Sequence, residues 1–400
     1  MLYLDSNATT KPCDAAIAAA EAAMREAWQN PSSVHRAGQG VRAKVELARA
    51  AVANLIGSKP RDVVFTSSGT ESVHLALRGA VAALPAASVK GERPPLVAST
   101  LVEHSAGREV LKDMESRGEA RVLWLPIDIN GVVDTAALAR ALASDDKPAV
   151  LSVQWANNET GVIQPVDEIA RLCRAAGAVF HCDCVQWAGK EPMRVEPSGP
   201  DAAFLDANLV SISAHKFHGL KGTGALYVRR GTRLRTPVPG TQELGRRGGT
   251  ENVPGILAAG AAAEEASQWL ADANEREKLR ALRDRFERTI LAAAPGSVVN
   301  SGGAPRLWNT SNIAFPKLEA EAILLALSER GLCASAGAAC ASGSLEPSPV
   351  LLAMGIDPKL AHGSVRFSLS KWTTEQEIDE AAALVIRCVE SLRASTASAV

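Results

Sequence analysis

The sequence predicts an α/β protein, with a mostly parallel mixed sheet flanked by helices and a smaller α+β domain attached to it. From about residue 34 to 270, short β-rich runs alternate with amphipathic stretches, which is the pattern of βαβ units. Residues from about 254 to 293 are rich in Ala, Glu, Arg and Leu at helical spacing and read as one or two long helices leading into a second unit. The last portion then returns to β-rich runs interleaved with helices.

In chain order, Val41-Arg42-Ala43-Lys44-Val45-Glu46-Leu47-Ala48 is an amphipathic helix. Strands follow at Val63-Val64-Phe65-Thr66, Leu96-Val97-Ala98, Val122-Leu123-Trp124-Leu125, Val150-Leu151-Ser152-Val153 and Val179-Phe180-His181. The strands at 209–213 and 224–228 come with no helix between them, so part of the sheet is expected to be antiparallel. Segment 83–95 is a loop by its Pro and Gly content. In the second unit, strands are expected at Asn312-Ile313-Ala314-Phe315 and Val365-Arg366-Phe367-Ser368, with helices near 319–330 and 374–393. Between these strands, residues 334–344 are nearly all small and include Cys340. They predict a mobile loop with a thiol on it.

Composition narrows the function. At 400 residues, a prior of about 150 residues per domain gives two to three domains. Lys+Arg 43 against Asp+Glu 44 leaves a net charge of −1, which removes the default support for nucleic-acid or anionic-membrane binding. No apolar stretch reaches the length of a membrane helix, and the start has no basic region followed by an apolar run. Seven cysteines, odd in number and scattered, predict a reducing, cytoplasmic compartment.

Three elements bear chemistry. Lys216, in Ser213-Ala214-His215-Lys216-Phe217-His218, follows a buried strand, where partial desolvation favours the neutral amine and imine formation with an aldehyde; a solvated charge is the other reading. His215 and His218 read either as metal ligands at i, i+3 or as packed loop histidines. Ser67-Ser68-Gly69-Thr70-Glu71-Ser72 follows a strand and opens a helix, an anion site suited to one phosphate, although Thr70 reads equally as a helix N-cap. His181-Cys182-Asp183-Cys184-Val185-Gln186 ends a parallel strand, the sheet edge where α/β folds bind ligands. Asp183 there can pair with a protonated ring nitrogen; a zinc cluster of His181, Cys182 and Cys184 competes, with poor ligand spacing.

As an ordered set the motifs resemble pyridoxal-phosphate enzymes of the class V aminotransferase group, specifically the NifS-type cysteine desulfurases. The likeness runs nearly end to end, through residues 3–10, 30–35, 66–72, Glu103-His104, Ala156-Asn157-Asn158-Glu159-Thr160-Gly161, 213–216, Gly248-Gly249-Thr250-Glu251-Asn252 and 339–348. Trp155 and the tail 361–370 look closer to the nitrogen-fixation branch than to the housekeeping one. The resemblance implies fold type I, with a large cofactor domain over 16–260 and a small domain formed by 1–15 and 261–400, which carries the cysteine loop (about 334–346).

It also implies roles. Lys216 would bind pyridoxal 5'-phosphate covalently and shuttle the Cα proton. Asp183 would hold the ring nitrogen protonated, His104 would stack on the ring and trade protons with the substrate thiol, and Gln186 would bond the ring oxygen. Gly69, Thr70, Ser213 and His215 would form the phosphate site, joined by Thr250 from the other subunit of a homodimer. Asn158, also beside the cofactor, would grip the substrate carboxylate with Arg366. Cys340 would take sulfur from L-cysteine as a persulfide, leaving L-alanine, and pass it to an iron–sulfur scaffold protein for nitrogenase maturation. No structural metal is implied, although Cys340 is a candidate transient iron–sulfur ligand.

Selenocysteine lyase activity, another class V reaction or a sulfur-trafficking scaffold without turnover are the competing readings. Dependence on Cys340 separates cysteine desulfuration from the first two, and a colourless protein that binds partners would mark the third. Departures from the family pattern are Cys184 in place of a usual alanine, Val73-His74 in place of Asp-Asn, and Thr241-Gln242-Glu243-Leu244-Gly245 in place of a common Gly-Gln-Glu-Arg-Gly, the last in a stretch expected to touch the partner subunit.

Overall fold

The computed structural model describes residues 1–84, 93–197, 203–337 and 346–398. Its centre is a seven-stranded sheet. The strands are β1 (Val63–Thr66), β2 (Leu96–Thr100), β3 (Arg121–Leu125), β4 (Val150–Gln154), β5 (Val179–Asp183), β6 (Leu209–Ser213) and β7 (Gly224–Val228), in the spatial order β1-β7-β6-β5-β4-β2-β3. Only β7 runs against its neighbours β1 and β6 in this sheet; the pairs from β6 to β3 are parallel. The expected antiparallel part therefore lies where the connecting helix is missing. Strands β1, β4, β6 and β7 are buried at every position, because a sheet covered by helices on both faces needs continuous apolar runs rather than alternation.

Helices 14–26 and 36–55, the second containing the predicted stretch 41–48, pack on Val253–Leu270. A Cβ built on Gly260 would come within 2.7 Å of Ala48 Cα, so glycine permits this close crossing. The expected long helical region is two helices, Val253–Leu270 and Ala273–Ala293. Helix Gly69–Ala82 follows β1 directly and buries Val73, Leu75, Ala76 and Leu77. Its N-cap is Ser68, whose Oγ accepts from Glu71 N at 3.1 Å. This corrects the reading of Thr70 as a cap: the cap is two residues earlier, and the chain is already helical at Gly69.

A second core, including Phe286, Trp308, Phe315 and Phe367, lies among helices 273–293, 320–328 and 375–398 and a three-stranded antiparallel sheet of Val298–Val299, Thr310–Ala314 and Ser364–Ser368. The chain start bridges the two regions. Leu2–Tyr3 pairs with Leu332–Cys333, Ser6 N donates to Ser368 O at 3.1 Å, and Thr10 N donates to His215 O at 3.0 Å. Asn7 is thereby brought to the end of the large sheet. The readings of residues 85–92 as loop and of 338–345, with Cys340, as a mobile thiol loop fall outside the described residues. Among the described residues no helix is long and apolar enough to cross a membrane.

Candidate active site

The C-terminal ends of β1, β2, β4, β5 and β6 open onto one cavity of about 240 Å³. Carbonyl-end edges of parallel strands collect side chains from loops far apart in sequence. Gly69 and Thr70 reach it from the turn after β1, His104 from the turn after β2, and Asn158 from the turn after β4. Asp183 and Gln186 come from the end of β5, and Ser213, His215 and Lys216 from the end of β6 and the 3-10 turn after it. Arg366 enters from strand 364–368 of the smaller sheet. Thr250 is exposed and is not among the lining residues. Cys340 lies outside the described residues.

Three observations test whether these residues fit a phosphorylated, ring-bearing cofactor. Ser213 Oγ and Asn158 Oδ1 are buried with no hydrogen-bond partner among the described residues, a costly state unless a ligand supplies one. Gly69 forms a cradle: a Cβ there would meet Val185 Cγ2 at 2.9 Å and Ser213 Cβ at 3.3 Å. The first turn of helix 69–82 lies beside that cradle, with main-chain N–H groups of the kind that bind phosphate. The donor set fits pyridoxal 5'-phosphate.

Electrostatics are set mainly by burial. The Asp183 carboxyl is pushed up to about 6 by burial, moderated by the Val185 N–H that donates to Oδ1 at 2.9 Å and by the charge of Lys216. Neighbouring Glu103 is pushed up to about 8, again by burial, while accepting from Thr100 Oγ1 at 2.8 Å and Gln154 N at 2.7 Å. His104 is lowered to about 4 and His215 to about 3, each by burial and then by the charge of Lys216. Both rings are neutral at pH 7. His104 Nδ1 accepts from Ala106 N at 3.1 Å as the N-cap of helix 105–116, so Nε2 carries its proton.

Lys216 Nζ donates to the carbonyls of Asn7 at 2.7 Å and Ala8 at 2.8 Å. Arg366, 1% exposed, donates through Nη1 to Asn158 O at 3.0 Å and Gly337 O at 2.7 Å, and through Nη2 to Asp5 Oδ1 at 2.6 Å. His181 does not face the cavity; its ring nitrogens lie 2.8 Å from Ser152 Oγ and 2.9 Å from Ser211 Oγ. Among the described residues no cluster suited to a metal ion is found. His218 is also held by the fold, with Nδ1 at 2.8 Å from Lys11 O.

Sequence reasoning missed Asn7, Gln154 and Lys190. Asn7 and Gln154 line the cavity, and Asn7 lay inside a quoted motif but had no role. Lys190 is buried one turn after Gln186 and donates to it and to Asn7. A lysine after a polar turn carries no sequence signal of burial. Glu103 was quoted only as the companion of His104.

A family model described as aminotransferase class-V matches residues 2–381. The chain belongs to that family and, within it, to the NifS-type cysteine desulfurases. It is 46% identical over 395 residues to cysteine desulfurase 2 of Trichormus variabilis, covering 98% of this chain and 94% of that protein. It is 44% identical over 394 residues to the cysteine desulfurase NifS of Azotobacter vinelandii, covering 98% and 93%. Among solved structures, a NifS-like protein superposes with a TM-score of 0.86 at 32% identity, covering 98% of this chain and 100% of that one.

Proposed function

We propose that the protein removes sulfur from L-cysteine, leaving L-alanine and a persulfide on Cys340. The observation that carries this reading is the convergence of Lys216, Asp183, His104 and Arg366 on one cavity whose buried Ser213 and Asn158 oxygens await a partner. When bound, pyridoxal 5'-phosphate supplies an electron sink for bonds broken at the substrate carbons.

The chain's own groups do the rest. Lys216 Nζ, held by the carbonyls of Asn7 and Ala8, is the attachment point and the group that moves the proton at the substrate Cα. Asp183 would keep a proton on the ring nitrogen, and Gln186 would donate to the ring oxygen. Gly69, Thr70, Ser213 and His215 hold the phosphate. His104, neutral and protonated on Nε2, would lie against the cofactor ring and exchange a proton with the substrate thiol. The Arg366 fork, aided by Asn158, orients the carboxylate. Cys340 receives the sulfur.

The protein acts as a homodimer in which Thr250 of one subunit completes the phosphate site of the other, an arrangement that its exposure here permits. The division into a large domain over 16–260 and a small one from 1–15 and 261–400 belongs to the same reading. Sulfur passes to an iron–sulfur scaffold protein in the cytoplasm, and nitrogenase maturation is the process supported by Trp155 and the 361–370 tail.

Incubating the protein with pyridoxal 5'-phosphate and L-cysteine and measuring alanine and sulfide tests the activity; absence of both overturns it. For the shared site, a Lys216→Ala chain mixed with a Thr250→Ala chain should regain cofactor binding, because a mixed dimer holds one intact site. No gain on mixing contradicts sharing.

A further inference from the structure

Lys190 is 4% exposed. Among the described residues its Nζ donates to two neutral oxygens, Asn7 Oδ1 at 2.9 Å and Gln186 Oε1, and to no carboxylate. Burial, and then the charges of Lys216 and Arg366, hold its amine well below the ordinary lysine range. A lysine buried without an ion pair is costly, so what its hydrogen bonds organise decides why it is there.

We propose that Lys190 is a positioning residue for the cofactor site: it fixes the carboxamide of Gln186 with Nε2 on the cavity side and holds Asn7 beside it. This rests on the pyridoxal phosphate reading of the cavity. The two ends of a carboxamide have nearly the same shape but opposite hydrogen-bond character, and a lysine amine facing one through N–H must face the oxygen. With Oε1 held by Lys190, Nε2 donates to Asn7 O at 3.0 Å, the same carbonyl that Lys216 Nζ reaches at 2.7 Å.

The anchor is itself rigid. Lys190 O accepts from Trp308 Nε1 at 2.9 Å, a residue of the second core, and Lys190 N donates to Trp187 O at 3.0 Å. Asn7 Oδ1 accepts from Asn309 Nδ2 at 3.0 Å as well as from Lys190, and Asn7 Nδ2 donates to Thr310 Oγ1 at 2.9 Å. Lys190 therefore joins Gln186, Asn7 and, through the Asn7 carbonyl, Lys216 into one hydrogen-bonded set. Without it, the Gln186 carboxamide keeps only the bond from Nε2 to Asn7 O and Asn7 loses one of the donors to its own side chain, so the amide is presented to the cavity less firmly.

The test is a double-substitution cycle on the full chain, stripped of cofactor and titrated with pyridoxal 5'-phosphate. Visible absorbance of the bound cofactor is the readout, and thermal unfolding checks the fold. Lys190→Met should weaken cofactor affinity about tenfold, the equivalent of one buried hydrogen bond lost, and shift the pH midpoint of the visible band. In a Gln186→Ala background the same substitution should cost clearly less than in the wild type, because the Gln186 route is already lost and only the bond to Asn7 remains. Lys190→Arg should recover part of the affinity.

Wild-type affinity and band midpoint in Lys190→Met, or losses that multiply in the double variant, would overturn the proposal. Failure of the wild-type chain to take up the cofactor would instead overturn the cofactor reading. If Lys190→Met does not fold, a crystal structure of the wild-type holoenzyme decides: Gln186 Oε1 on Lys190 Nζ with Nε2 on the cofactor is the expected arrangement, and Lys190 out of hydrogen-bond reach of Gln186 contradicts it.

Discussion

Lys216 Nζ is hydrogen-bonded to the main-chain carbonyl of Asn7, 209 residues away in the chain, at 2.7 Å. The bond places a reactive amine at the junction between the start of the chain and the end of β6. Replacing Lys216 by Ala should abolish borohydride-stable attachment of pyridoxal phosphate and lower alanine formation by at least about 10³-fold, the scale of losing a positioned acid–base group. Peptide mapping after reduction checks the first and a product assay the second; cofactor fixed to another lysine would reassign the attachment point.

Arg366 is an anchor as well as a donor toward the cavity, through Asn158 O, Gly337 O and Asp5. Arg366→Lys keeps the charge and loses the planar fork. The expected result is a fall in kcat/KM for L-cysteine of about tenfold or more, mainly through KM, from steady-state alanine formation. An unchanged KM would remove Arg366 from carboxylate binding.

His181 is neutral and fully buried between Ser152 and Ser211, its pKa lowered to about 3 by burial. The unfolded ring binds its proton near pH 6.5 while the folded ring does not, so its contribution to stability is whole above about pH 6.5 and is lost as pH falls toward 3. The difference in unfolding free energy between wild type and His181→Gln should therefore shrink on acidification, with a slope approaching about 1.4 kcal/mol per pH unit below pH 6. Urea unfolding at several pH values reads it directly. A pH-independent difference would show that the ring binds its proton equally well in the folded and unfolded chains.

Glu243 accepts from Arg49 Nη1 at 2.6 Å, Arg49 Nη2 at 2.8 Å and Phe65 N at 2.8 Å. It lies in the stretch that departs from the family pattern, and it ties that stretch to helix 36–55 and β1. Glu243→Ala leaves the buried Arg49 guanidinium with only the Glu46 carboxylate at 3.3 Å and the Val63 carbonyl, strips the acceptor from Phe65 N, and should destabilise the fold by about 3 kcal/mol. Denaturant melts check this, and a change under about 1 kcal/mol would mark the pair as unimportant to stability.

The parts legible in the sequence were those that local chemistry dictates. Val63-Val64-Phe65-Thr66 and Leu209-Val210-Ser211-Ile212-Ser213 are too apolar and β-branched to be anything but buried strands. The end of such a strand is where Lys216 and Asp183 had to be sought. Thr70 shows the limit: cap residues crowd together in Ser67-Ser68-Gly69-Thr70, and only backbone geometry selects Ser68. Lys190 and Asn7 were illegible for a different reason. They pair with each other across 183 residues, and a lysine looks solvated until its surroundings are known. Glu243 and Arg49, 194 residues apart, belong to the same class.

The most direct test of the central claim is a single turnover with one equivalent of L-cysteine per chain, the protein loaded with pyridoxal phosphate, followed by alanine quantification and peptide mass mapping. The expected result is near-stoichiometric L-alanine with the extra sulfur on the peptide carrying Cys340, and in Cys340→Ala a retained cofactor band with no persulfide and alanine at background. Alanine at the wild-type rate from Cys340→Ala, or the sulfur found on another cysteine, would contradict it.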